Sequence, residues 1–219
     1  MLINSLKKLK SFGFIPKNIL DIGANKGKWS LLVKKKVFPL ANYTLIEAID
    51  YSELDKINNN SNMNCINLLL DESERKVIWN EMRNTGDSIY KENTSFFDDC
   101  EKIERNTTTL DITFQGKKSF DLIKIDCQGA EIPILKGGKN TVLNTPVIIL
   151  EIPFMGEYNV GVPNFFEHIK YMNKIGYQVY DIIEMHRVEG ILIQIDIIFI
   201  KKGHAFEKNV HNIIKNLGK

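Results

Sequence analysis

Short apolar runs that stop on an acid or a polar residue recur along this chain, and the intervals between them carry helical spacing. Ile19 to Ile22, interrupted only by Asp21, reads as a buried strand, and Gly27 to Lys36 as the helix after it, with Trp29, Leu32 and Val33 turned inward and Pro39 closing the unit. Tyr43 to Ile46 is a second strand that stops at Glu47, Ser52 to Ile57 a weak helix, and Cys65 to Leu70 a third strand that stops at Asp71. Ahead of them, residues 1–16 set Leu2, Ile3, Leu6 and Leu9 against Lys7, Lys8 and Lys10, the signature of an amphipathic helix.

The regularity breaks from Arg75 to Thr109. Lys76 to Trp79 has the look of a β ribbon, but Met82 to Asp98 sustains neither a 3.6 nor a 2 period, and an irregular insert of this length usually covers or shapes a site. Alternation resumes with a strand over Asp121–Asp126, a helix over Gly129–Lys136 ended by Gly137 and Gly138, and a strand over Val147–Glu151. A helix over Pro163–Lys174 follows, then two strands, Tyr177–Glu184 and Ile191–Ile200, joined by a turn containing Glu189 and Gly190. Strands alternating with helices and closing on a hairpin predict an α/β fold: a mainly parallel sheet with one antiparallel strand and helices on both faces. No repeat or linker divides the sequence, so residues 1–219 are expected to form a single domain.

Composition adds bounds. The chain has 219 residues, 43% of them hydrophobic, and 29 Lys and Arg nearly balance 27 Asp and Glu, so no uniformly basic face for nucleic acid is indicated. The run from Ile191 to Ile200 contains Gln194 and Asp196 and is too short to span a bilayer. Three widely spaced cysteines, Cys65, Cys100 and Cys127, favour neither a disulfide framework nor a cysteine zinc site, and a reducing cytoplasm is expected. The oligomeric state stays open.

The densest chemistry lies at the end of the first strand. Asp21-Ile22-Gly23-Ala24-Asn25-Lys26-Gly27 runs a strand into a glycine-punctuated turn that opens a helix, the layout of a nucleotide pocket. Its spacing lacks the middle glycine of a dinucleotide fingerprint, which argues against a nicotinamide-dependent oxidoreductase. An acid before the turn and no phosphate-cradling glycines suit a phosphate-free cofactor with a cationic centre, such as S-adenosylmethionine. Asp21, Glu47 and Asp71, at successive strand ends, are expected to line one crevice.

A second motif, Lys124-Ile125-Asp126-Cys127-Gln128-Gly129-Ala130-Glu131, precedes Ile134-Leu135-Lys136-Gly137-Gly138 and Ile149-Leu150-Glu151. With the first motif it resembles the FkbM family of S-adenosylmethionine-dependent methyltransferases over nearly the whole chain. The resemblance implies the class I methyltransferase fold, a Rossmann-like sheet of seven strands whose last is antiparallel. It implies that Asp21, Gly23, Ala24, Asn25 and Gly27 wrap the methionine half of the cofactor, that Glu47 accepts from the ribose hydroxyls, that Asp71 and Leu70 hold the adenine, and that Asp126 lies nearest the methyl group. The family often has Glu where this chain has Gln128.

In-line methyl transfer needs an aligned acceptor and a proton acceptor, and three carboxylates, Asp126, Glu131 and Glu151, are candidates for the base. The alternative is a divalent cation on Asp126 and Glu151; the proton-acceptor reading ranks first. The resemblance further suggests O-methylation of a sugar hydroxyl in a glycan or of a small metabolite. Ser88, Tyr90, Lys91 and Asn93, in the insert, are the expected acceptor contacts. A binding module that has lost turnover is the remaining alternative. His168 and His186 read as packing or surface residues, Phe165, Phe166 and Tyr171 as core, and Cys127 as a packed thiol.

Overall fold

The computed structural model describes residues 1–59, 62–115, 119–154 and 159–217. Strands β1 (Asn18–Ile22), β2 (Asn42–Glu47), β3 (Met63–Asn67), β4 (Lys76–Glu81), β5 (Glu101–Asn106), β6 (Leu122–Ile125), β7 (Val147–Pro153), β8 (Tyr177–Val188) and β9 (Ile191–Lys201) alternate with helices α1 (Leu2–Ser11), α2 (Lys28–Lys36), α3 (Ser52–Asn58), α4 (Leu110–Phe114), α5 (Glu131–Gly137), α6 (Lys139–Val142), α7 (Phe165–Lys174) and α8 (Ala205–Lys215). Seven strands form one sheet in the order β3-β2-β1-β6-β7-β9-β8, with β9 antiparallel to both neighbours and the rest parallel. The expected sheet is therefore the one observed.

Strand alternation splits the core into two layers. Ile19, Leu45, Leu122 and Ile149 pack with α1, α2, α3 and α8, whereas Leu20, Ile46, Ile123 and Leu150 pack with α4 to α7. On α1, Leu2, Leu6 and Leu9 form the buried stripe that its spacing predicts. On α2 the expectation is corrected: Ser30 joins Val33 in the core, and Leu32 faces out at 41% exposure. Ser30 is drawn in because its hydroxyl donates to Asp21 at 2.7 Å. Phe166 also leaves the expected core, on the outer face of α7, while His168 enters it. Helix α7 starts on a capping box in which Asn164 and Glu167 exchange side-chain and backbone hydrogen bonds.

The third strand is shorter than expected. Its pairing with β2 stops at Asn67, whose side-chain amide turns to donate to the carbonyls of Glu47 and Ala48. Leu70 makes only a single bridge to Thr108. Helix α8 lies outside every expected element: Phe206 and Val210 are its buried apolar positions, and Phe206 meets Phe14 at 5.3 Å. Inside the insert, β4 and β5 pair antiparallel as a two-stranded ribbon.

Chain order reverses between β1 and β6, so the loops after these two strands diverge to opposite faces and leave a crevice at their carboxyl ends.

Candidate functional site

A cavity of about 360 Å³ opens at that crevice. Its floor is the loop after β1. Gly23 has φ +73°, and a Cβ there would stand 1.8 Å from the Asp126 carbonyl oxygen, so only glycine lets the two loops approach. The amides of Gly23 and Ala24 both donate to the Ile46 carbonyl, and that of Asp126 donates to the Ile22 carbonyl, which ties β1, β2 and β6 at the cavity rim. Gly27 meets a different need: its missing Cβ would fall 2.4 Å from Ile57, so it serves packing on α3.

Glu47 stands on the wall, at the end of β2. Its Oε2 accepts from the Asn25 amide at 2.6 Å and its Oε1 from the Ile49 amide at 3.0 Å, so both oxygens are fixed. Burial raises its pKa above the ordinary 4.5, and the backbone donors only partly offset that. Beside Glu47 the wall is apolar, built from Ile22, Ile46, Ile49, Leu69, Leu70 and Ile134.

Opposite lies a polar end. By strand alternation Asp21, Lys124, Glu151 and Asp196 share one face of the sheet, with Asp21 paired in register with Lys124 and Glu151 with Asp196. The Lys124 ammonium, itself buried, sits 2.7 Å from Asp126 Oδ2 and 5.8 Å from the Trp29 ring. Gln128 donates its amide to Asp126 Oδ1 and Glu151 Oε2, and Gln194 also donates to Glu151 Oε2. A neutral amide at position 128 thus joins two carboxylates where glutamate would add a further negative charge. Burial pushes both carboxyls up; at Asp126 the Lys124 charge and its hydrogen bonds more than reverse this, while at Glu151 the neighbouring Asp126 charge adds to it, leaving Glu151 well above the usual range. Asp126 therefore carries the charge and Glu151 holds its proton more tightly.

Of the expected site residues, Gly23, Asn25, Glu47, Leu70, Asp126 and Glu151 line the cavity. The others do not, and each is corrected. Asp21 is fully buried behind the loop, held by Ser30 and facing Lys124. Ala24 packs into the core. Asp71 is buried and bound to Arg75 Nε at 2.6 Å. Glu131 is withdrawn from the role of base: its Oε1 accepts the amides of Cys127 and Gly129, and its Oε2 faces the buried His168 at 3.6 Å, so it clamps the loop after β6. The insert does reach the cavity, but through Trp79, Asn84, Thr85, Gly86, Asp87 and Ile89. Ser88 is buried with its hydroxyl on the Gln128 carbonyl, Lys91 and Asn93 face out, and Tyr90 sits against Gly129, off the cavity wall.

Four wall or near-wall residues carried no assigned role. Lys124 carries a sequence signal, a lysine inside an apolar strand and two residues from an acid. Asp196 and Gln194 carry another, polar groups two apart in the β9 apolar run. His186 lines the cavity near the end of β8, where the Asp196 carboxylate, 3.5 Å from its Nε2, raises its pKa.

Comparison with known proteins gives the following. The family model described as Methyltransferase FkbM domain matches residues 21–179. No curated protein matches the chain. Magnesium protoporphyrin IX methyltransferase from Synechocystis PCC 6803, solved with S-adenosylmethionine bound, superposes with a TM-score of 0.53 at 7% identity, covering 92% of this chain and 78% of its own. A 1,6-didemethyltoxoflavin-N1-methyltransferase from Burkholderia thailandensis, solved with its substrate and S-adenosylhomocysteine, superposes with a TM-score of 0.50 at 10% identity, covering 91% and 77%.

Proposed function

The chain belongs to the FkbM methyltransferase family, and from that premise we propose that it transfers a methyl group from S-adenosylmethionine to a hydroxyl of a sugar, a glycan precursor or a related small metabolite. The observation that carries the cofactor reading is the charge of the cavity wall. Among the described residues it presents Glu47, Asp87, Asp126 and Glu151 and neither a lysine nor an arginine. Such a wall attracts a sulfonium and an ammonium and repels a pyrophosphate, which also speaks against a nicotinamide dinucleotide. The donor set fits as well: Glu47 is a fixed carboxylate acceptor for ligand hydroxyls, the apolar wall suits an adenine, and Gly23 leaves the room a side chain would take.

S-adenosylmethionine, when bound, supplies a methyl carbon made electrophilic by its sulfonium. The residues of this chain then have three tasks. Glu47 and the loop through Gly23 and Asn25 fix the cofactor's place. Asp126, kept ionised by Lys124, sets a negative field at the strand ends. Asp126, the ionised member of the pair it forms with Glu151, is the candidate to take the acceptor's proton, and alignment contributes roughly 7 to 11 kcal/mol against about 10²- to 10⁴-fold in rate for a base, so positioning dominates.

For the acceptor, support comes from Asn84, Asp87 and Gln194, which offer both donors and acceptors, and from Trp79, an aromatic ring on the wall. A neutral hydroxylic acceptor suits this surface, and a nucleic acid does not. Among the described residues no helix is long and apolar enough to cross a membrane.

Calorimetry with S-adenosylhomocysteine tests the cofactor, and tritiated methyl transfer to a panel of sugars and phenols tests the acceptor. Glu47→Gln is expected to weaken S-adenosylhomocysteine about 10- to 100-fold, the loss of charge-assisted hydrogen bonds of roughly 1.5 to 3 kcal/mol. Because burial raises the Glu47 pKa, its contribution to the stability of the free protein is present below 4.5 and lost as pH rises through the folded value. Ligand hydroxyls need the ionised form, so affinity should fall as pH drops through that raised pKa. In Glu47→Gln this pH dependence should be gone. Wild-type protein that ignores S-adenosylhomocysteine at millimolar concentration overturns the reading.

A further inference from the structure

We propose that Glu151, His186 and Asp196 form a binding site for one divalent transition-metal ion, of the Mn²⁺ or Zn²⁺ class, at the polar end of the cavity. The three residues come from adjacent strands β7, β8 and β9, and one ligand atom from each lies within 4.8 Å of the others. Glu151 and Asp196 are register partners, and His186 is paired with Gln194, two residues from Asp196 on the same face. Bond lengths of about 2.0 to 2.2 Å ask these atoms to close up somewhat further, and the imidazole of His186, 46% exposed, is the one free to move.

A second observation points to a ligand. Asp196 is 4% exposed, and its Oδ1 is buried with no hydrogen-bond partner among the described residues; His186 Nε2 stands 3.5 Å from it. A buried carboxylate oxygen that faces an imidazole at 3.5 Å without a hydrogen bond is costly unless a cation meets it. The surroundings add to the imbalance. Asp21, Asp126, Glu151 and Asp196 are four carboxyls that interact with one buried ammonium, that of Lys124. A divalent ion that displaces the proton held by Glu151 offsets much of the negative charge this group then carries.

The donor set selects the ion. One imidazole nitrogen with two carboxylate oxygens favours Mn²⁺, Zn²⁺ or Fe²⁺ over Ca²⁺, whose sites are all oxygen. His186 stands at the mouth of the cavity, so an ion there keeps open positions toward solvent and an entering hydroxyl. Anchoring of the acceptor by that ion rests on the methyltransferase reading above; the existence of the site does not. The ligand pair expected from sequence, Asp126 with Glu151, is replaced because Asp126 is already committed to Lys124 and Gln128.

The test uses full-length protein without an affinity tag, stripped with chelator and dialysed. Calorimetry with MnCl₂ and with ZnCl₂ should show one equivalent bound, and Co²⁺ as an optical probe should develop visible d–d bands. At a hundredfold excess over Kd, Tm should rise by roughly 5 °C or more. Asp196→Asn, which is isosteric, and His186→Ala, at a half-exposed position, should each weaken binding by about a hundredfold and remove the Co²⁺ bands, with far-UV circular dichroism unchanged. Absence of binding by wild type at millimolar metal, or both variants binding as wild type does, overturns the site. S-adenosylhomocysteine titrated into the metal-free wild type separates the two readings: its failure removes the cofactor assignment and leaves a measured metal isotherm standing.

Discussion

Gly23→Ala should abolish binding of S-adenosylhomocysteine, with an expected loss of at least a hundredfold, or about 2.7 kcal/mol. Two costs combine at this position. At φ +73° an L-residue gives up roughly 1 to 2 kcal/mol. The new Cβ would also stand 1.8 Å from the Asp126 carbonyl oxygen, backbone that cannot swing aside as a side chain would. Relief requires the loops after β1 and β6 to part, yet the Gly23 amide is tied to Ile46 and the Asp126 amide to Ile22. Parting them moves Asn25 and Asp126, two walls of the cavity. Gly190→Ala is the control: φ there is +81°, with nothing within 4 Å of the added carbon, so it should cost about 1 kcal/mol of stability and leave ligand affinity alone. If Gly23→Ala bound S-adenosylhomocysteine within threefold of wild type, the floor of the site would have been misassigned.

Lys124→Met should lower stability by about 3 to 5 kcal/mol, a fall in Tm of roughly 6 to 20 °C for a chain of this size. The volume is nearly conserved, so the cost is electrostatic. Lys124 is buried between Asp126, at 2.7 Å, and Asp21, and its loss leaves the fully buried Asp21 and the partly buried Asp126 without their cation. In wild type the lowered Asp126 pKa gives stability that is present above the ordinary 3.8 and lost as pH falls through the folded value. Without the ammonium that sign reverses, because both acids then hold their protons more tightly than in the unfolded chain. The deficit should shrink as pH is lowered from neutral toward 5, and Asp21→Asn added to Lys124→Met should restore part of the lost Tm. A deficit that is flat with pH would show that packing, and not charge, holds Lys124 in place.

Much of the fold could be read because the central strands β1, β2, β6 and β7 are buried on both faces and the longer helices on one, and both leave a period in the sequence. The two loop motifs were legible for a related reason: a glycine forced by backbone approach and an acid at a strand end are local facts. Helix α8 escaped because its stripe is short, with Phe206 and Val210 its only buried apolar positions, and it is held from outside by Phe14 and Tyr180. The insert was recognised as irregular, but its contacts were assigned to Ser88, Tyr90, Lys91 and Asn93. The direction of a loop side chain follows from what the loop crosses, here the Gln128 carbonyl that captures Ser88.

By itself, then, the sequence determined the alternation of strands and helices, the glycine turn after β1 and the carboxylates that close β2, β6 and β7. Tertiary structure alone decided which of the acids face the cavity. Asp71 is taken by Arg75, Glu131 by the amides of its own loop and Asp21 by Ser30, whereas Glu47, Asp126 and Glu151 are left on the wall. It also brought Asp196 and His186 to Glu151 across a distance in sequence that no local pattern spans. The physical reason is register: periodicity gives the face of each strand, but only pairing between strands sets which charges on that face become neighbours.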